Sequence, residues 1–221
     1  MNLPDALLPP GWALGAWIPL AGAWAAALRR APWRRLTDPE QLNVMLGMIV
    51  ALALLWSLKA GVKPGLNFHL LGATVFVLAF GPWLATAGLS AVLAAVTLNG
   101  AAAWSAYALN AWIMVLVPVW VSWGIYRLAD RMLPNHLFVF IFVNGFVGAG
   151  LAVIAAGAAA SLLMAGAGVY SGDYLWNEYL PYYLLLGFSE AWISGMAITL
   201  MVVYRPEWVA TFDDKRYLAK R

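Results

Sequence analysis

Residues 70–98 form a run of 29 residues dominated by apolar side chains and free of charge, with Gly81-Pro82 at its centre. About 20 such residues are enough to cross a hydrocarbon core roughly 30 Å thick, so the run is long enough to be membrane-embedded. A Gly-Pro pair nevertheless breaks or kinks a helix, because proline has no N–H to donate and clashes with the preceding turn. The run is therefore either one long tilted helix or two short ones joined at Gly81-Pro82. Each half of about 15 residues would extend only roughly 22 Å at about 1.5 Å per residue. Short or broken segments at membrane depth are tolerated where they face protein or a cavity, so the run points to a buried site near 65–98.

Composition agrees. Of 221 residues, 64% are hydrophobic and 10% charged, and the mean hydropathy is +0.78. Soluble domains carry about 25% charged residues, and a soluble fold of this size could not hide so much apolar surface. Thirteen tryptophans suit the boundary between hydrocarbon and water. The expected class is an all-α polytopic membrane protein, a single integral membrane domain over residues 1–221. With no cysteine, disulfides, thiolate metal sites and cysteine nucleophiles are excluded. The N-terminal lead MNLPDALLPP lacks the positive region of a signal peptide and is expected to be retained.

Apolar runs and their breakers place helices near 11–28, 44–60, 68–81, 83–98, 105–126, 137–167 and 180–204. The 13 Lys and Arg residues decide between six and seven spans. They fall in four groups: Arg29, Arg30, Arg34 and Arg35; Lys59 and Lys63; Arg127 and Arg131; and Arg205, Lys215, Arg216, Lys220 and Arg221. Seven spans put 11 on one side and 2 on the other, whereas six give 9 against 4. Basic loops near helix ends favour the cytoplasm, so about seven transmembrane helices are expected, with the N-terminus outside and the C-terminus cytoplasmic. The net charge of +3 is thus a topology signal, and no extended basic face marks a nucleic-acid partner.

Few residues can carry chemistry. Glu190, in LGFSEAWISG, is the one acid deep in an apolar run, ten residues into the last expected helix. Such an acid is costly unless paired, protonated or wetted, which suits an ion site or a hydrogen bond to a neighbouring helix. His69 sits at the outer end of the third expected helix, on the same side as the N-terminus. A free α-amine at Met1 and a neutral imidazole are nitrogen donors for Ni, Co, Cu or Zn. Asn67, Asn2 and Asp5 could add oxygen or orient the ligands. His136, beside a capping Asn135, reads as structural. Gly145, Gly148 and Gly150, in a stretch rich in Gly and Ala, suggest close helix packing within the chain. GFSE at 187–190 contains a Gly-x-Ser but places no base within reach of the serine, and there is no phosphate loop or HExxH. No catalytic residue is assigned, and no enzymatic activity or organic cofactor is expected. The aromatic and charged tail from Val202 suits the inner headgroups or a partner.

LLPPGW at 7–12, PGLNFHLLGATVFVLAFGPWLA at 64–85 and the late acid of Ser189-Glu190-Ala191 followed by Gly195 are similar to the CbiM-type membrane components of energy-coupling-factor transporters. The specific part is the spacing of Gly65, His69 and Gly72 ahead of Phe80-Gly81-Pro82-Trp83. The resemblance implies a seven-helix substrate-binding subunit for cobalt or nickel uptake in a bacterial-type cytoplasmic (inner) membrane. It also implies a transmembrane coupling subunit and cytoplasmic ATPase subunits as partners. Its metal would be held by the terminal amine, an imidazole and backbone nitrogen at position 2, and His69. Position 2 here is Asn2, not histidine. Four nitrogen donors suit a tetragonal Ni(II) or Cu(II) site, and this chain lacks one imidazole of that set. A non-transporting membrane scaffold or assembly factor that keeps the fold is the alternative that Asn2 favours.

Overall fold

The computed structural model describes residues 3, 4 and 7–218. Among these described residues six helices are long and apolar enough to cross a membrane, giving a multi-pass bundle. Pro10 opens α1 (Pro10–Arg30) with the φ a first helical turn needs, and Ala31 ends it in extended conformation. A 3₁₀ turn, Trp33–Thr37, leads to α2 (Pro39–Ser57). The α2 helix starts earlier than the expected residue 44, because the Asp38 carboxylate accepts the Glu40 N–H and Pro39 occupies the first turn. Beyond it one short hairpin, not expected from the sequence, interrupts the helices. Strands β1 (Ala60–Lys63) and β2 (Leu66–Phe68) form an antiparallel hairpin pairing Ala60 with Phe68 and Gly61 with Asn67. Its turn passes through Pro64 and Gly65, where φ is +79°.

The charge-free run becomes α3 (Ala73–Leu98), which folds back on itself at Gly81. There φ is 77° and ψ 169°, a region open in practice only to glycine. The Phe76 ring lies so close to Gly88 that a Cβ could not fit, although those positions would be about 18 Å apart along a straight helix. Charged residues fix the direction of both arms. The Arg30 and Arg35 guanidinium groups stand over the Trp83 and Phe80 rings at 5.4 and 5.2 Å, at the reversal. At the far end of the second arm, Lys59 Nζ donates to Ala101 O at 2.5 Å, beside the hairpin. The two short helices expected at 68–81 and 83–98 are thus these arms, residues 73–80 and 82–98. The first arm starts later than expected, because 66–68 pair as a strand and Gly72 adopts φ +64°.

Three helices complete the bundle: α4 (Tyr107–Met132), α5 (Leu137–Gly166) and α6 (Gly172–Tyr204). The α6 helix begins ahead of the expected residue 180. The π turn Leu175–Tyr179 carries the chain into Pro181, whose missing N–H interrupts an ordinary α-helical ladder. The helices α5 and α6 approach closely through glycine, a Cβ on Gly150 coming within 3.1 Å of Gly187 O. The Gly- and Ala-rich stretch therefore packs within the chain, as expected. The tail after α6 holds a 3₁₀ turn Pro206–Trp208 and a short α7 (Asp214–Tyr217).

One end of the bundle gathers the arginines. Arg35 donates to the carbonyls of Glu207 and Trp208 at 3.1 Å each, Trp208 Nε1 donates to Glu40 at 2.8 Å, and Arg216 pairs with Asp130. Burial presses the Arg35 guanidinium below its ordinary value, with Asp38 opposing it. Lys59 and Lys63 stand with the hairpin at the other end, which is the partition that the basic groups predict.

The first arm, residues 73–80, is buried on nearly every side, and both its ends are satisfied by α6 and its tail. Glu190 accepts the N–H groups of Leu71 and Gly72 just before the arm. At its other end, Ala210 N–H donates to Ala79 O at 2.9 Å, and Thr211 donates to Leu78 O through its hydroxyl at 2.8 Å. Gly81→Ala is expected to destabilise the protein by about 1–3 kcal/mol through strain at the reversal. Gly124→Ala, at an open helical position, should be neutral or slightly stabilising. Thermal unfolding in detergent measures both.

Candidate functional site

Beside the β1–β2 hairpin, irregular backbone is held to the bundle by side chains. Leu3, 1% exposed, is held by Asn110 of α4 through two hydrogen bonds. Leu3 N–H donates to Asn110 Oδ1 at 2.8 Å, and Asn110 Nδ2 donates to Leu3 O at 3.3 Å. The side chains of Leu3 and Leu7 sit over Gly65, whose absent Cβ and positive φ allow the approach. Tyr170 Oη donates to Pro64 O at 2.9 Å, and the Lys63 ammonium stands 3.9 Å from the centre of the Tyr174 ring. Phe68, at the end of β2, packs on Tyr179 and Tyr183 with ring centres 5.1 and 5.3 Å away.

Residues 69–72 follow as an irregular link into the first arm of α3. His69 therefore precedes the helix that it was expected to begin, and it is 3% exposed. Its Nδ1 lies 3.1 Å from Leu70 O. A carbonyl can only accept, so Nδ1 carries the proton and Nε2 bears the lone pair. The ring packs on Trp56 at 5.4 Å, and the Trp56 indole N–H donates to Leu71 O at 3.0 Å. From the opposite side Glu190, 2% exposed, takes the Leu71 N–H on Oε2 at 2.8 Å and the Gly72 N–H on Oε1 at 2.7 Å. Ser194 Oγ donates to Oε1 at 3.3 Å.

The electrostatics favour a neutral imidazole. Burial, followed by neighbouring positive charge that includes Lys59, pushes His69 down to about 3. Neutral imidazole is the form that binds a metal.

Of the residues singled out in the sequence, His69 and Glu190 meet across the 70–72 link. Asn67 lies in β2 opposite Gly61, two residues before His69. Met1, Asn2 and Asp5 fall outside the described residues. Glu190 is eighteen residues into α6 and not ten, because the helix begins at Gly172. His136 is far from this region and is itself the N-cap of α5, accepting the Phe138 N–H at 3.2 Å in place of Asn135. Asn110 and Trp56 were not anticipated. Asn110 did carry a signal, being an amide inside the apolar run YALNAW. Among the described residues no group of three or more His, Asp or Glu side chains is placed to hold a metal, so any site here draws on backbone and single side chains.

The depressed His69 value predicts acid sensitivity. The unfolded chain takes up a proton near pH 6.5, which the folded state refuses until about 3. Stability is therefore full above about 6.5 and falls by up to about 1.4 kcal/mol per pH unit below it. Thermal unfolding in detergent from pH 7 to pH 4 should show a shallower decline for His69→Phe than for wild type.

Known proteins resemble the chain over most of its length. Residues 2–208 match the CbiM family model, described as the cobalt uptake substrate-specific transmembrane region. Among curated protein sequences no match is found. A crystal structure of a truncated transition metal transporter superposes with a TM-score of 0.80 at 20% identity, covering 92% of this chain and 99% of that one. A second crystal structure of a transition metal transporter gives 0.76 at 20% identity, covering 91% and 92%. At that identity the likeness is one of fold. The match over residues 2–208 shows that the chain belongs to the CbiM family of metal-uptake membrane components.

Proposed function

We propose that the chain is the substrate-binding membrane subunit of an energy-coupling-factor ABC-type uptake system for a transition-metal cation such as cobalt or nickel. The Met1 α-amine and His69 bind the ion, with Asn2, Asn67 and Asp5 in support. The observation that carries this reading is His69: a buried, neutral imidazole whose tautomer is set by the Leu70 carbonyl. Metal-binding histidines characteristically donate their other nitrogen to a carbonyl or carboxylate in this way. The placement of Leu3 over the Gly65 turn supports it too, because it brings the start of the chain to the end of the bundle where His69 lies.

The hairpin end faces outward, and the arginine end faces the cytoplasm of a bacterial-type inner membrane, in line with the positive-inside rule. The sequence has no nucleotide-binding motif, so ATP is hydrolysed by separate cytoplasmic subunits, linked through a transmembrane coupling subunit. The match to a cobalt-uptake family and the two transition metal transporter structures support a metal as substrate. Asn2 in place of histidine leaves fewer nitrogen donors and predicts weaker, less selective binding than a four-nitrogen set gives.

Titration of purified protein with Co²⁺, Ni²⁺, Cu²⁺ and Zn²⁺ tests this reading. His69→Ala and Asn110→Leu are each expected to weaken the preferred ion by at least about tenfold. Equally weak binding by wild type and His69→Ala would favour a membrane scaffold that keeps the fold without a working site.

A further inference from the structure

One peptide group joins Glu190 and His69. The Leu71 N–H that donates to Glu190 Oε2 at 2.8 Å belongs to the same peptide unit as the Leu70 carbonyl beside His69 Nδ1 at 3.1 Å. A peptide unit is planar, with a barrier of about 18–20 kcal/mol to rotation about its C–N bond. Fixing its N–H therefore fixes the direction of its C=O. The neighbouring Leu71–Gly72 peptide is fixed in the same manner. Its N–H donates to Glu190 Oε1 at 2.7 Å, and its C=O accepts from Trp56 at 3.0 Å. Two consecutive peptide planes are thus gripped by one carboxylate.

We propose that Glu190 is a positioning residue for His69, acting through the Leu70–Leu71 peptide to set the orientation and basicity of the imidazole. The inference rests on the reading of His69 as a metal ligand. A carboxyl oxygen accepting from the N–H polarises the peptide, making its carbonyl a stronger acceptor for Nδ1–H. The Nε2 lone pair gains donor strength in turn, as it does where a carboxylate bonds a ligating histidine directly. Glutamine at 190 cannot substitute: an amide has one acceptor oxygen, and its NH₂ would face a backbone N–H.

The first test needs no metal. The chain has two histidines, and His136 is exposed, so it serves as an internal reference. Diethyl pyrocarbonate acylates neutral imidazole, and mass spectrometry reads the rate at each histidine. In Glu190→Gln the link is released and the buried ring becomes accessible, so the rate at His69 relative to His136 is expected to rise at least about tenfold, outweighing the weaker Nε2 lone pair. Glu190→Asp, which keeps the carboxyl but withdraws it by one methylene, should give an intermediate rise. Ser194→Ala, which leaves both backbone contacts in place, should stay at the wild-type rate. Wild-type protection of His69 in Glu190→Gln overturns the proposal; if that variant does not fold, the same result in Glu190→Asp does so.

The second test uses Cu²⁺ or Ni²⁺ alone. The ligand-field band of the ion that remains bound to Glu190→Gln, or to Glu190→Asp if Gln does not fold, should shift relative to wild type. An unshifted band with only fewer ions bound marks a purely structural residue and counts against the proposal. If wild type binds no ion in this test, the metal reading fails by itself, while the acylation result still decides the link between Glu190 and His69.

Discussion

An eight-residue helix buried in the middle of a membrane bundle has a problem at each end. Its first N–H groups and last carbonyls lack partners within the helix, and no bulk water is present to supply them. Much of this structure can be read as the answer. Glu190 takes the N–H groups of Leu71 and of the capping Gly72 just ahead of one end, while Ala210 and Thr211 bond the carbonyls at the other. The arm can consequently be short, because it faces protein on nearly every side. Its reversal at Gly81 folds the apolar run back on itself, so one stretch of sequence supplies both the central arm and the helix against which it packs.

The same need explains the hairpin end. Leu3 and residues 70–72 lie outside the helices and the hairpin, so side chains from three helices supply hydrogen bonds to them. Asn110 serves Leu3, Trp56 serves Leu71 O, and Glu190 serves the N–H groups of Leu71 and Gly72. A buried N–H or carbonyl left unpaired costs about 1–3 kcal/mol, enough to favour polar residues inside an apolar chain. Asn110, Glu190 and the indole of Trp56 are placed by this requirement and not by helix propensity.

Much of the architecture was legible in the sequence. Apolar runs gave the spans, and basic residues at their ends separated the two faces. Gly81-Pro82 marked the break in residues 70–98. Less legible was anything that depends on partners distant in the chain. A hairpin at 60–68 cannot be distinguished by periodicity from a helix start, since four- and three-residue strands are too short to show alternation. The start of α6 was masked because Pro181 reads as a first-turn residue, while a π turn absorbs it. For the candidate site, His69 and Glu190 stood out as polar groups in apolar surroundings. Their relation did not, because it is carried by a peptide plane 119 residues from Glu190, and no side-chain spacing encodes it.

The arrangement also bears on how the two faces of the bundle are connected. The α6 helix holds the His69 end of the central arm through Glu190, and its tail holds the other end at Leu78 and Ala79, next to Arg35 and Trp208. A shift of α6 along its axis would have to carry the arm with it or break hydrogen bonds at both ends, in surroundings where they are expensive to lose. The arm and α6 therefore behave as one body running from the candidate site to the arginine face. The remaining contacts of the link, through Trp56 on α2, decide how the imidazole sits relative to that body. Geometry at His69 is in this way set jointly by two helices, which a single short helix in lipid could not achieve.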